Sequence, residues 1–178
     1  AATGSHQFGS LQNFELIEAG TPFPYDRLPE YDVVVYSPIR NKDAWNTSHL
    51  VARCAELGIR TLSFSWLQWN GYFPHVMKLD RPPHIWGYRP LADRAAAGAT
   101  FTQLVTAARD PEALDARNYV EWSFSALEEH EADVDVPIGP FVRQHYRMQR
   151  LFWTPDHPTL ALYAYVQKQI ARRLGIGL

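Results

Sequence analysis

Apolar residues gather into short runs along the chain, and each run is closed by a residue that suits a turn or a cap. Tyr31 to Tyr36, reading YDVVVY, lies between proline-containing segments and predicts a central parallel strand buried on both faces. Leu50, Val51, Cys54 and Leu57 then follow helical spacing, with Thr47 or Ser48 placed to cap the helix and Gly58 to end it. Arg60 to Phe64, reading RTLSF, predicts a second strand directly afterwards. Strand, helix and strand fill about 35 residues, the length of a right-handed parallel crossover. This unit is the main indication of an α/β fold.

Trp66 to Pro90 mixes aromatic residues with Pro and Gly and shows no period, so it reads as a long irregular loop of the kind that rims a pocket. Its aromatic crowding, with Trp66, Trp69, Tyr72, Phe73, Trp86 and Tyr88, reads first as core and second as a ligand wall. Leu91 to Ala108 and Pro111 to Ala132 predict helices, breaking at Gly98 and Asn118, with Val120, Phe124 and Leu127 along the second. The charges from Glu128 to Asp135 read as a solvated helix end. Leu151 to Trp153 predicts a last strand, and Pro158 suits the first turn of a helix with Tyr163, Val166, Ile170 and Leu174 on one face. Arg172 and Arg173 complement that helix's C-terminal dipole before Gly175 ends it.

Length and composition narrow the classes. At 178 residues, with no repeat or linker, one domain over 1–178 is expected. Hydrophobic residues make up 46% and charged residues 20%, and no run approaches the roughly 18 apolar residues of a membrane span, so a soluble protein is expected. A net charge of -2 provides no basic field for nucleic acid. Cys54 is the single cysteine, which excludes an internal disulfide and suits a reducing, cytoplasmic setting. The histidines form no HxxxH or HExxH pattern, so no metal is expected, a His6 and His157 pair being the remaining way to hold one. The chain starts with neither Met nor a charged-then-apolar leader, so upstream residues are expected to be missing or removed by processing.

Two polar segments carry candidate chemistry: Gly4-Ser5-His6-Gln7, and Thr154-Pro155-Asp156-His157-Pro158 before the last helix. In a parallel sheet, loops that follow strands converge at one edge, so His6 and His157 are candidates for one pocket. A histidine can deprotonate a substrate hydroxyl, so His6 and His157 are both candidates for that role. Asp156 is a candidate partner and, equally, a cap for the last helix.

At these residues the chain resembles the WcbI-like polysaccharide biosynthesis family. LFWTPDHPT is similar to that family's LF-x-T-x-NHP signature, and Asn70-Gly71-Tyr72-Phe73-Pro74 to its GY-x-P loop. Tyr31 to Ile39 resembles its strand ending in a polar residue and proline, and Asp135 to Phe141 its D-x-P-x-x-x-F segment. Gly4-Ser5-His6-Gln7 with Leu11 falls where the family carries G-N-C-Q and a helix leucine, although GSH also matches a cloning remnant. The order agrees throughout, and only the family's first strand lacks a counterpart.

The resemblance implies an SGNH- or flavodoxin-like three-layer sandwich with a parallel central sheet, coenzyme A or acyl-coenzyme A as cosubstrate, and acyl transfer to capsule sugars. A cysteine at the third motif place would serve as a thiolate at a helix N-terminus; here that place is His6. Ser5 is the neighbouring nucleophile candidate, and backbone N–H groups after Gly4 and Gln7 are candidates for an oxyanion site. Coenzyme A needs cations for its phosphates, for which Arg40, Lys42, Arg143, Arg147 and Arg150 are available. Trp69, Asn70 and Tyr72 are the candidate substrate contacts. The expected function is acyl transfer to a sugar or another hydroxyl- or amine-bearing small molecule. Ester hydrolysis and ligand binding without turnover are the rivals, and a homo-oligomer is compatible with all three.

Overall fold

The strand–helix–strand segment forms where its pattern predicts, and its caps show why. In the computed structural model, which describes residues 7–40, 42–78 and 86–177, the chain packs as two compact units, Ala1–Leu62 and Ser63–Leu178. The first begins with α1 (Asn13–Glu18), which buries no residue. Leu11, matched by resemblance to a helix leucine, lies ahead of α1 and is 40% exposed. A 3-10 turn over Tyr25–Glu30 leads into β1 (Val33–Tyr36), and a second over Asp43–Trp45 precedes α2 (Thr47–Glu56) and β2 (Arg60–Ser63).

Asn46, rather than Thr47 or Ser48, caps α2: its side chain accepts from the Ser48 N–H at 3.0 Å. The Thr47 hydroxyl is committed elsewhere, donating to the Ile39 carbonyl at 3.2 Å. At the other end Gly58 takes φ +71°, donates to Ala55 at 3.2 Å, and lets Ile59 donate to Cys54 at 2.8 Å. This paired arrangement satisfies carbonyls that the helix leaves open and turns the chain into β2. It also delivers Ile59 onto the core of Leu28, Leu50 and Cys54, with Phe23, Tyr25, Val34 and Tyr36 around it.

The fold is mixed α/β, with a small parallel sheet and many helices. The described strands form three two-stranded pairs, β1 with β2, β3 (Val76–Lys78) with β4 (Trp86–Tyr88), and β5 (Phe152–Thr154) with β6 (His157–Pro158). A central sheet of the breadth expected for a three-layer sandwich is therefore absent among the described residues. Val35 is 38% exposed, so β1 is not covered on both faces. With one described neighbouring strand, it has an open edge and an uncovered side, which an unbroken apolar run does not reveal. The segment expected to be irregular contains the antiparallel β3–β4 pair.

In the second unit the long helical stretch breaks at Gly98, whose φ of +87° separates α3 (Arg89–Ala96) from α4 (Phe101–Ala108). Thr100 and Gln103 close a capping box at the start of α4. The next break falls at Asp115, with φ +48°, instead of Asn118. Asn118 is inside α5 (Ala116–His130) and donates to Asp115 Oδ1 at 2.8 Å. The last helix, α7 (Leu160–Leu174), buries Leu162, Val166 and Ala171, whereas Tyr163 is 51% exposed. The buried stripe is thus rotated from the predicted one.

Two carboxylates join the elements of this unit. Asp135 Oδ2 accepts from the Ser63 N–H and hydroxyl, both at 2.8 Å, while Ser63 Oγ accepts from the Asp135 N–H at 2.9 Å. Next to this clasp, Phe64 bridges Val136 in parallel. Glu131, 8% exposed, accepts from the N–H groups of Ile138 (2.7 Å) and Gly139 (2.9 Å) at the start of α6 (Gly139–His145). It is not part of a solvated helix end. Glu131→Ala strands two buried donors and is expected to destabilise the protein by about 2–4 kcal/mol in urea unfolding; a loss under about 0.5 kcal/mol would contradict the assignment.

Candidate functional site

The segment LFWTPDHPT folds into the β5–β6 hairpin, with Phe152 opposite Pro158 and Thr154 opposite His157. Strand alternation buries Phe152 completely and turns Trp153 outward, 62% exposed. Pro155 and Asp156 make the connection. Because Thr154 and His157 share a register position, their side chains meet beside the turn. The Thr154 hydroxyl donates to Asp156 Oδ1 at 2.7 Å and lies 2.5 Å from His157 Nδ1, which is itself 3.0 Å from Asp156 Oδ1.

The neighbouring Asp156 and His157 side chains therefore converge rather than diverge. The hydrogen bond from Thr154 is the main cause that holds the Asp156 carboxyl below the usual carboxylate range. Partial burial opposes it, and the residue's own backbone N–H and the imidazole add to the lowering. Asp156 does not cap the last helix. Thr159 is the residue before α7, and its hydroxyl donates to the Arg150 carbonyl at 3.2 Å. Pro158 belongs to β6 and precedes the helix, because the hairpin closes before α7 begins. The His157 side chain is 72% exposed and that of Asp156 51%, so both are open to a substrate.

Trp69 fixes the hairpin from beneath. Its backbone N–H donates to the Pro155 carbonyl at 2.9 Å, and its ring, 2% exposed, lies 4.9 Å from Phe124 and 5.0 Å from Tyr72, centroid to centroid. The Tyr72 phenol reaches the carbonyls of Tyr146 (2.8 Å) and Gln149 (3.0 Å), and burial pushes its pKa up. Gly71 packs on the indole so closely that an added Cβ would collide with Trp69 Cζ2. Asn70 is half-buried beside Tyr119, whose phenol is raised by burial, an effect that the Asn70 side chain partly offsets. Trp69 and Tyr72 are thus built into the support of the hairpin.

The candidate cations differ in what occupies them. Arg143 pairs with Glu121 (3.3 Å) and Glu128 (2.8 Å), lies 4.1 Å above the Phe124 ring, and is consumed in covering the core. Arg147 donates from Nε to the Tyr146 phenol at 2.7 Å, and Arg150 from Nε to the Phe152 carbonyl at 3.1 Å beside Trp153. Both are exposed. In the first unit Gln7, Arg40 and Lys42 are exposed, and the Arg40 carbonyl accepts from Asn46 at 3.0 Å. Gly4, Ser5 and His6 lie outside the described residues. Among the described residues no three His, Cys, Asp or Glu side chains converge as metal ligands, and no helix is long and apolar enough to cross a membrane.

Thr154, which the sequence places in the polar segment without a role of its own, is the further participant. Its signal was position: a hydroxyl two residues before an aspartate in a tight turn is within reach of that carboxylate.

The family model for the polysaccharide biosynthesis enzyme WcbI matches residues 3–178. The chain belongs to the WcbI family. A solved structure of WcbI, described as a polysaccharide biosynthesis enzyme in a native form without a disulfide between coenzyme A and one of its cysteines, is similar in fold. Its TM-score is 0.72 at 21% identity, and the match covers 86% of this chain and 56% of that one. The chain therefore spans little more than half the length of that relative. Comparison with curated proteins gives no match.

This WcbI-family chain has one cysteine. Cys54 is completely buried, and burial pushes its thiol pKa up.

Gly71→Ala is expected to cost about 1–3 kcal/mol in denaturant unfolding, because the indole or the loop must move. An unchanged midpoint would contradict the close packing. Asp156 predicts a pH effect. Its folded pKa lies below the unfolded one, so the ionised form contributes stability above the ordinary value near 3.9, and that contribution is lost as pH falls through the folded pKa. The stability difference between wild type and Asp156→Asn should accordingly shrink on acidification below about pH 4. A difference that is constant from neutral to strongly acid pH would rule this out.

Proposed function

We propose that residues 1–178 act as a single α/β domain, transferring an acyl group from a coenzyme A thioester to a sugar or another small molecule bearing a hydroxyl or amine. The observation that carries this reading is the contact of His157 Nδ1 with Asp156, on an exposed hairpin. A carboxylate at one ring nitrogen favours a proton there and leaves Nε2 as a base. Membership of a polysaccharide biosynthesis family supports a sugar acceptor. The relative's description supports coenzyme A as the ligand class.

His157 Nε2 would take the proton of the acceptor hydroxyl as its oxygen attacks the thioester carbonyl. The carbon–sulfur bond then breaks, and the proton held on His157 passes to the departing thiolate. An ester and free coenzyme A result. The Asp156 carboxylate would stabilise the imidazolium between these steps. Direct transfer suits the chain because its only cysteine, Cys54, is buried.

The cations fit coenzyme A in part. Arg147 and Arg150 are exposed on the stretch that leads into β5 and would meet phosphate oxygens, whereas Arg143 is held by two glutamates. Gly4, Gln7, Arg40 and Lys42 are retained from the sequence as cofactor-contact candidates, and Asn70 as a substrate candidate. Ser5 and His6 stand as further catalytic candidates. A cytoplasmic location follows from the ligand class proposed, since acyl-coenzyme A is an intracellular donor.

Calorimetric titration with coenzyme A and desulfo-coenzyme A tests the ligand class, and saturable binding of both is expected. Release of free thiol from acetyl-coenzyme A in the presence of an acceptor tests the base. His157→Ala should lower that rate by about 10²–10⁴-fold without abolishing binding. Failure to bind, with turnover of small esters, would replace this reading by hydrolysis.

A further inference from the structure

We infer that Thr154 is a positioning residue whose hydroxyl fixes the tautomer of His157, holding the proton on Nδ1 and leaving the lone pair of Nε2 for the substrate. The inference deepens the general-base reading of His157 and rests on it for its catalytic consequence, although the tautomer itself is measurable without turnover.

Three polar atoms meet at the hairpin turn: Thr154 Oγ1 is 2.7 Å from Asp156 Oδ1 and 2.5 Å from His157 Nδ1, and Nδ1 is 3.0 Å from Asp156 Oδ1. An ionised carboxylate accepts only, whereas a hydroxyl has one proton to give and lone pairs to receive. If Thr154 gives its proton to Asp156, a charge-assisted bond forms and its lone pairs face Nδ1. Nδ1 must then carry a proton, which both oxygens accept.

The opposite arrangement leaves the site frustrated. A proton on Nε2 would place the bare Nδ1 lone pair against the carboxylate. The Thr154 hydroxyl could relieve one of those contacts only by giving up its bond to the other. Two acceptors and one hydroxyl donor thus admit a single fully paired state, the one with Nδ1–H.

Asp156 alone is a weak means of fixing this state. Both side chains are exposed, 51% for Asp156 and 72% for His157, so water competes for the direct contact. Thr154 differs because β5 sets its position: it is opposite His157 in the antiparallel register. The turn below is held in turn by the bond from the Trp69 N–H to the Pro155 carbonyl, 2.9 Å long. Strand pairing therefore delivers the hydroxyl to the place where the carboxylate and imidazole meet.

The test uses the full chain labelled with ¹⁵N, with long-range proton–nitrogen spectra of the histidine rings at a pH where they are neutral. His157 is assigned by its loss in His157→Ala. Wild type should show the Nδ1–H pattern. Thr154→Val should convert a substantial fraction of His157 to the Nε2–H pattern, and Thr154→Ser should restore the wild-type spectrum, since serine keeps the hydroxyl. A Thr154→Val spectrum that retains the full Nδ1–H pattern overturns the inference, as does a wild type with Nε2–H.

Thiol release from acetyl-coenzyme A separates this inference from the one beneath it. If both hold, Thr154→Val should lower kcat about tenfold with KM for acetyl-coenzyme A unchanged, as expected for loss of one hydrogen bond, and Thr154→Ser should recover it. If His157→Ala leaves the rate unchanged while Thr154→Val still alters the tautomer, the general-base reading fails and the positioning of the imidazole stands.

Discussion

The placement of the candidate site depends on one residue used twice, Trp69. Its indole fills the aromatic core of the second unit against Phe124, Tyr72, Tyr146 and Phe152, while its backbone N–H holds the Pro155 carbonyl at the hairpin turn. A buried aromatic ring contributes several kcal/mol through packing, far more than a single hydrogen bond. The ring thus fixes where the N–H points, and the N–H fixes the turn. Gly71 is needed beside it because any side chain there would collide with the indole. Tyr72 extends the same support by reaching the carbonyls of Tyr146 and Gln149. Gly71 and Tyr72 lie in the loop that resembles the GY-x-P motif, directly after Trp69, and in this chain that loop helps build the platform for the hairpin.

Two other carboxylates, Glu131 and Asp135, perform a related task elsewhere in the same unit. A helix start and a strand end both leave backbone donors that cost free energy if buried without partners. Glu131 answers this need at α6, and Asp135 answers it at Ser63. Asp135 belongs to the segment resembling D-x-P-x-x-x-F, so this part of the likeness has a structural cause in backbone satisfaction. The hairpin carboxylate is different in kind. Asp156 bonds to side chains that remain exposed, and its depressed pKa comes first from a hydroxyl rather than from a buried amide.

Local features were legible in the sequence where chemistry at a single position decides them. Gly58, Gly98 and Gly175 all adopt positive φ, and each ends a helix as its pattern indicates. The strand–helix–strand order was readable for the same reason, and so was the family, through motifs spread along the chain. Features set by tertiary choice were not. Asn46 takes the cap of α2 because Thr47 is engaged with Ile39, a competition that spacing cannot show. The unbroken run of β1 gave no sign of an exposed face, since sheet breadth is decided by distant segments. Arg143 read as a free cation because its glutamates are on another helix, 15 and 22 residues away. The role of Thr154 was illegible for a subtler reason. Its importance comes from a cross-strand register that exists only once the hairpin closes.

For the proposed acyl transfer, the chemistry turns on what replaces a thiolate. At the place where the family pattern has cysteine this chain has His6, and its only thiol is sealed in an apolar core with a raised pKa. A buried neutral thiol is a poor nucleophile, because the thiolate is the reactive form. Base catalysis makes a smaller demand. It needs one imidazole nitrogen that accepts a proton near neutrality and one that is held by an acceptor. The hairpin supplies the second through Asp156 and Thr154, and exposure of His157 opens the first to an incoming hydroxyl. Such a site can activate an acceptor for direct transfer without forming a covalent acyl-enzyme. Under the proposed acyl transfer, the residue types at the turn, together with the burial of Cys54, therefore favour direct attack on the thioester over a two-step exchange through sulfur.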